Sequence, residues 1–289
     1  MLTYVFPGQG SQAVGMGAEI FDKYSEYVQQ ADEILGYSIK QLCITDSNNC
    51  ISNTKYTQPA IYVVSILMYL EKIRETGIKP DFVAGHSLGE YSALFAAGVF
   101  DFATGLKIVK KRAELMSSAN GGTMAAVIGL TYEQVKNVLK ERSLGVIDIA
   151  NLNSFEQIVI SGKKEDINNA KSIFEEAGAI KFIELNVSGA FHSRYMEEAR
   201  KNFEKYINRF EYKTPQIGVY SNVTAKPHIA SEIKEKLGEQ MVSSVRWYEI
   251  IAELLDYPEN QIIEVGPGRV LTGLTKKIQR EVRKIRNSV

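Results

Sequence analysis

Asp81-Phe82-Val83-Ala84-Gly85-His86-Ser87-Leu88-Gly89-Glu90-Tyr91 decides how this chain is read. A short apolar run ends in Gly-x-Ser-x-Gly, and a helix-forming stretch from Glu90 to Ala97 follows at once. That order is strand, sharp turn, helix, and it lifts Ser87 off the end of a sheet where its oxygen can meet a substrate. The glycines are required because the turn is strained and its flanking backbones pass too close for a Cβ. The pattern alone is common in turns. The strand before it and the helix after it make Ser87 a candidate nucleophile.

Working outward, the chain alternates strands with helices, the grammar of an α/β protein. A strand over Thr3–Phe6 leads into the loop Pro7-Gly8-Gln9-Gly10-Ser11-Gln12. Pro59 is expected as the first residue of a helix running to about Thr76, with Gly77 as its C-terminal cap. Asp101 caps a further helix from Phe102 to about Ser117. Strands are then expected over Met124–Leu130, Val146–Leu152, Gln157–Ser161 and Ile180–Val187. Helices separate them, one from Thr131 to about Arg142 and one from about Glu165 to Gly178. This β-α-β-β-α-β order is that of a ferredoxin-like unit. Residues 123–187 are therefore expected to form a small subdomain inserted between the halves, 1–122 and 188–289, of a larger one. Beyond it come a helix from about Ser193 to Arg209, strand Ile217–Tyr220 and two helices. Strand Gln261–Val265, the turn Gly266-Pro267-Gly268 and a basic C-terminal helix follow.

With 34 basic and 34 acidic residues among 289, net charge gives no argument for nucleic acid or a membrane surface. Cys43 and Cys50 are the only cysteines, without metal-ligand spacing, which suits a reducing compartment. Met1-Leu2-Thr3-Tyr4-Val5-Phe6 lacks the basic start of a signal peptide and reads as a strand. The longest apolar run, Ala60 to Leu70, is too short to span a bilayer. A cytoplasmic protein is expected.

A serine nucleophile needs a base, and only three histidines are available. His86 adjoins Ser87, so its side chain should leave the same turn in another direction. His228 follows Pro227 in a polar loop and reads as a solvated surface residue. His192 lies in the small-residue loop Ser188-Gly189-Ala190-Phe191-His192-Ser193 just before a helix. Elimination favours His192 as the base; the alternative is a histidine that caps that helix. No carboxylate stands out as a third member, since Asp148 and Asp166 fall within the insert. A dyad is expected, with another group such as a backbone carbonyl orienting the imidazole. A tetrahedral oxyanion needs two donors. The Leu88 amide is one, and the Gly8-Gln9-Gly10 loop can bring the other close, although such a loop can also be an ordinary tight turn.

Arg112 is the second sharp clue. At 100° per residue it lies about 40° from both Ile108 and Met116, inside the apolar stripe of its helix. A buried guanidinium must find an anion. That anion is a substrate carboxylate, held in a two-pronged pair, or an internal acid; otherwise the stem snorkels to water.

Several ordered motifs resemble the malonyl-CoA:acyl carrier protein transacylase family over nearly the whole chain. They are Phe6-Pro7-Gly8-Gln9-Gly10-Ser11-Gln12, Tyr56-Thr57-Gln58-Pro59-Ala60, Gly85-His86-Ser87-Leu88-Gly89-Glu90-Tyr91, Lys111-Arg112-Ala113-Glu114-Leu115-Met116, Ala190-Phe191-His192-Ser193 and Glu264-Val265-Gly266-Pro267-Gly268. The resemblance implies an α/β-hydrolase-like core with a ferredoxin-like insert. It implies that Ser87 takes the acyl group, His192 is the base, and Arg112 holds the malonyl carboxylate. Gln9 and Leu88 would supply oxyanion amides, Gln58 and His86 would lie by the acyl pocket, and Gln240 would orient His192 through its backbone oxygen. Phe191 stands where methylmalonyl-selective members commonly have serine, so it should crowd an α-methyl group.

The implied donor is malonyl-CoA and the acceptor is the phosphopantetheine thiol of an acyl carrier protein, with no bound cofactor and no metal. Segments such as Phe95–Phe102 and Val187–Met196 are similar to discrete transacylases that serve bacterial polyketide synthases in trans. Housekeeping fatty-acid synthesis and carrier-protein acyl hydrolysis are the alternatives within the family. An ordinary esterase and a non-catalytic docking scaffold are those outside it. A monomer is expected. Lys276, Lys277, Arg280 and Arg283 could meet an acidic carrier, but a solvated helix face is the favoured reading.

Overall fold

Among residues 1–287, which the structure (a computed structural model) describes, the strands form two four-stranded sheets. The chain opens with β1 (Leu2–Phe6), α1 (Ser25–Leu35), α2 (Ile39–Ile44), α3 (Thr54–Thr76), β2 (Phe82–Gly85), α4 (Gly89–Ala96) and α5 (Phe102–Ser118). It continues with β3 (Gly122–Ile128), α6 (Tyr132–Glu141), β4 (Asp148–Ser154), β5 (Gln157–Lys163), α7 (Lys164–Glu176) and β6 (Lys181–Glu184). It ends with α8 (Glu197–Ile207), β7 (Gly218–Val219), α9 (Ile233–Gln240), α10 (Trp247–Leu254), β8 (Gln261–Glu264) and α11 (Val270–Asn287).

The first sheet has the order β7-β2-β1-β8 and is parallel throughout. Its central strands, β1 and β2, are buried and largely apolar on both faces because both faces are covered. Tyr4, Phe6 and Val83 enter one core, while Val5 and Ala84 enter a second with Trp247, Ile250 and Leu271. The register pairs Phe6 with Gly85, so the loop after β1 and the turn after β2 leave the sheet side by side. In open parallel sheets, ligands gather at these carboxyl ends.

The second sheet is antiparallel, with the order β4-β5-β3-β6. Its faces split with period two. Met124, Ala126 and Val159 pack into the main core, whereas Ala125, Val127, Ile158 and Ile160 pack beneath Val135, Ile167 and Phe174 of α6 and α7. A bridge between Asn151 and Val245 ties the sheet to the rest of the chain: Leu152 N donates to Val245 O and Val245 N to Ala150 O, at 2.9 and 2.8 Å.

Several local expectations hold. Asp101 Oδ1 accepts from Thr104 N at 2.7 Å, and Thr131 forms a reciprocal capping box with Gln134. Gly77 closes α3 in the left-handed conformation. Others need correction. Pro59 lies inside α3 rather than at its start, because Asn53 caps the helix from further upstream. The helix expected from Ser193 begins as a single 3-10 turn over Arg194–Met196, with α8 following. α1 and α2 fall in a stretch for which no element was expected.

Candidate active site

Ser87 sits between β2 and α4 at φ 51°, a left-handed conformation that residues with a Cβ rarely adopt. The joint is tight. A Cβ on Gly85 would lie 1.9 Å from Gly89 C, and one on Gly89 would lie 2.0 Å from Phe6 O, so no other residue fits either position. Asn222, fully buried, latches the turn: its Oδ1 accepts from Ser87 N and its Nδ2 donates to Gly85 O, both at 2.7 Å. Nothing in its local sequence marked Asn222 for this task, since it sits in an unremarkable polar loop after β7.

Ser87 Oγ lies 2.7 Å from His192 Nε2, and His192 Nδ1 lies 2.8 Å from Gln240 O at the end of α9. A carbonyl only accepts, so Nδ1 carries the hydrogen and the Nε2 lone pair faces the serine hydroxyl. Burial, and then the nearby Arg112 charge, push the His192 pKa down to about 3, so the imidazole is neutral at ordinary pH. The arrangement can take a proton from Ser87. The helix-capping alternative fails on geometry, because Ser193 is the residue whose side chain caps the following turn.

Arg112 reaches from α5 into the same place and is 1% exposed. Nη1 donates to Gln58 Oε1 at 2.8 Å; Nη2 donates to Gln240 Oε1 at 2.9 Å and to Ser87 Oγ at 3.1 Å. Its Cζ lies 5.4 Å from the Tyr91 ring centroid. Burial holds its pKa below the usual arginine range. Snorkelling is excluded by the burial. Among the described residues no carboxylate lies within ion-pair distance of it. The guanidinium therefore rests on amide and hydroxyl oxygens, which leaves it electrostatically suited to an incoming anion.

The Gln9 and Leu88 amides come from the paired exits of β1 and β2 and donate to no group among the described residues. The Gln9 side chain bonds Thr54 Oγ1 at 3.2 Å, which fastens the loop to the first turn of α3. Gln9, Gln58, Leu88, Arg112, Phe191 and His192 share one cleft of about 330 Å³, which Ser87 and His86 also line. His86 does not reach the serine: its Nε2 lies 2.8 Å from Asn153 Oδ1 and its ring packs edge-on against Trp247. Burial lowers its pKa.

His228 is a correction. Its side chain is 1% exposed and its Nε2 lies 2.6 Å from Oε1 of Glu90, itself fully buried. The loop sequence suggested solvent because Pro227 and Lys226 are exposed, while the histidine between them and Ile229 turns inward. The signal for this contact lies at Glu90. It is the only charged residue in α4, which is buried almost all round, so it had to be buried and partnered.

Among the described residues, no group of three or more His, Cys, Asp or Glu side chains is arranged to hold a metal. Nor is any helix long and apolar enough to cross a membrane.

A parallel sheet that brings a serine, a neutral histidine and two unpaired amides to one cleft suits chemistry on an acyl group. The chain belongs to the acyl transferase domain family, which matches residues 3–288. It is 55% identical, over 97% of its length and 98% of the relative's, to the polyketide biosynthesis malonyl CoA-acyl carrier protein transacylase BaeC of Bacillus velezensis. Among solved structures it resembles malonyl CoA-acyl carrier protein transacylase from Burkholderia pseudomallei, with TM-score 0.94, 45% identity, and 97% and 98% of the two chains covered. It also resembles a malonyl-transacylase solved in complex with its type II PKS acyl-carrier protein, with TM-score 0.92, 36% identity, and 96% and 93% covered.

Proposed function

We propose that this chain transfers a malonyl group from malonyl-CoA to the phosphopantetheine thiol of an acyl carrier protein through a malonyl-Ser87 intermediate. The observation that carries the reading is Arg112 Nη2 at 3.1 Å from Ser87 Oγ, a buried cation beside the acyl-accepting atom. In the first half, Ser87 Oγ attacks the thioester carbon as His192 Nε2 takes its proton. The Gln9 and Leu88 amides hold the oxyanion, and the C–S bond breaks as CoA leaves with the proton. In the second half the carrier thiol gives its proton to His192 and attacks malonyl-Ser87; the C–O bond to the serine breaks, and His192 returns the proton to Ser87 Oγ. Arg112 and Gln58 hold the acyl carboxylate throughout, and Gln240 O keeps the histidine in its working tautomer. Thiolates leave readily, so a backbone carbonyl suffices where a serine triad has an acid.

We read the parallel-sheet body, residues 1–122 and 188–289, as an α/β-hydrolase-like catalytic subdomain; its residues 288–289 lie outside the described part. Residues 123–187 are read as an inserted ferredoxin-like subdomain. The strand order β4-β5-β3-β6 and the two helices on one face support this. Service to a polyketide synthase in trans is favoured by the likeness to a discrete polyketide transacylase over the full length of both chains. A carrier-protein hydrolase is disfavoured by Arg112, whose charge selects an acid-bearing acyl group and whose bulk displaces water. A cytoplasmic monomer is the simplest setting; free Cys43 and Cys50 suit a reducing compartment.

The test is covalent loading. Wild-type protein incubated with labelled malonyl-CoA should carry the label and pass it to a phosphopantetheinylated polyketide carrier domain. Ser87→Ala should carry none. Label retained on that variant overturns the assignment, and hydrolysis that outpaces transfer to the carrier establishes the hydrolase instead.

A further inference from the structure

Glu90 is fully buried, three residues beyond Ser87, and the mechanism above does not use it. Burying a carboxylate is costly unless its oxygens are satisfied. Here Oε2 accepts from Gln240 Nε2 at 2.5 Å and from Asn222 N at 3.3 Å, while Oε1 lies 2.6 Å from His228 Nε2.

Two of these partners run straight to the reacting groups. Gln240 holds His192 through its backbone oxygen and Arg112 through Oε1, and its Nε2 also donates to Ser87 O at 2.9 Å. Asn222 latches the turn that carries Ser87. One carboxylate therefore touches both supports of the site. The Gln240 amide lies between an acceptor-only carboxylate and a donor-only guanidinium, so its NH₂ must face Glu90 and its oxygen must face Arg112. A charged group at each end strengthens both hydrogen bonds.

We propose that Glu90, braced by His228, is a positioning residue that holds the Gln240 amide and thereby aims Arg112 at the acyl carboxylate. Glu90 lies outside the cleft that the acyl group would enter, and its effect on acyl selectivity runs through Gln240. The inference rests on the malonyl-transfer reading. It adds that selectivity for an acid-bearing acyl group depends on a carboxylate one residue removed from the arginine.

The test compares malonyl-CoA and acetyl-CoA as donors for full-length wild type, Glu90→Gln, Arg112→Ala and the double variant. Glu90→Gln keeps the shape of the side chain and removes its charge. Its KM for malonyl-CoA should rise about tenfold, as expected for one lost charge-assisted contact, while acetyl transfer changes less than about twofold. In the Arg112→Ala background the same substitution should have no further effect on malonyl transfer, because coupled residues are non-additive. An equal fall for both donors, or additive losses in the double variant, reduces Glu90 to a support of the fold and overturns the proposal. Should Glu90→Gln not fold, His228→Leu, which removes the partner of Glu90 Oε1 and leaves Gln240 untouched, decides the matter. It should lower malonyl-over-acetyl preference, and unchanged preference overturns the proposal. A wild-type protein that takes no malonyl label would instead defeat the underlying malonyl reading.

Discussion

The Arg112 guanidinium donates to the Ser87 hydroxyl at 3.1 Å, which, on the proposed malonyl-transfer reading, ties recognition of the acyl group to the atom that receives it. The short separation limits how much chain can lie between the ester carbon and the carboxylate. A malonyl group has one methylene there, and succinyl has two. Succinyl-CoA should load far more slowly than malonyl-CoA in a direct competition. For Arg112→Ala, malonyl kcat/KM should fall on the order of 100-fold, the worth of a desolvated charge-assisted pair of about 3 kcal/mol, with a relative gain for acetyl. Unchanged selectivity would show that the arginine serves only the fold.

The depressed pKa of His192 makes a prediction for pH. The group titrates near 6.5 when unperturbed and at about 3 here, with burial the larger cause and Arg112 the next. Between those values the unfolded chain binds the proton more readily than the folded one. The stability from this group is therefore full above pH 6.5 and is lost as pH falls toward 3. For activity, kcat/KM reports the free enzyme, so the acid limb attributable to His192 should lie well below 6.5. In Arg112→Ala, followed with acetyl-CoA, that limb should move up because one cause of the depression is gone. A limb near 6.5 in the wild type would contradict the site's burial.

Asn222→Ala tests the latch. It strips Ser87 N and Gly85 O of partners in a buried turn, at roughly 1–3 kcal/mol apiece. Denaturant unfolding should report a loss of that size, and acyl loading should slow at the chemical step. Full activity with lowered stability would mean that the turn holds its shape without help.

Phe191 lines the cleft beside His192 and is 4% exposed. Phe191→Ser should open room for an α-methyl group and raise methylmalonyl loading relative to malonyl. Competition between the two thioesters, read by intact mass of the acyl-enzyme, would check it.

The parts of the site that were legible in the sequence carry their reason locally. The apolar run before Ser87 and the helix after it forecast the joint, and scarcity of histidine singled out His192. Arg112 was conspicuous because its neighbours at helical spacing are apolar. What stayed hidden depends on packing between segments far apart in the chain. Asn222 meets Gly85 across 137 residues and His228 meets Glu90 across 138, and neither separation leaves a local pattern. Pro59 misled because proline favours a first turn, whereas the cap was set upstream by Asn53. The Gln240 role came through family likeness, since a backbone oxygen leaves no side-chain trace.

The packing of Gly85 on Gly89, and of Gly89 on Phe6 O, has a consequence for how this enzyme can diversify. With no spare volume between the two strands and the helix, the main chain around Ser87 cannot shift to welcome a different acyl group. On the proposed reading, new substrates are accommodated by exchanging side chains that line the cleft around a stationary Ser87, such as Arg112, Gln58 and Phe191. Substrate range is then an evolvable property of the cleft wall, and the chemistry of the serine is inherited unchanged.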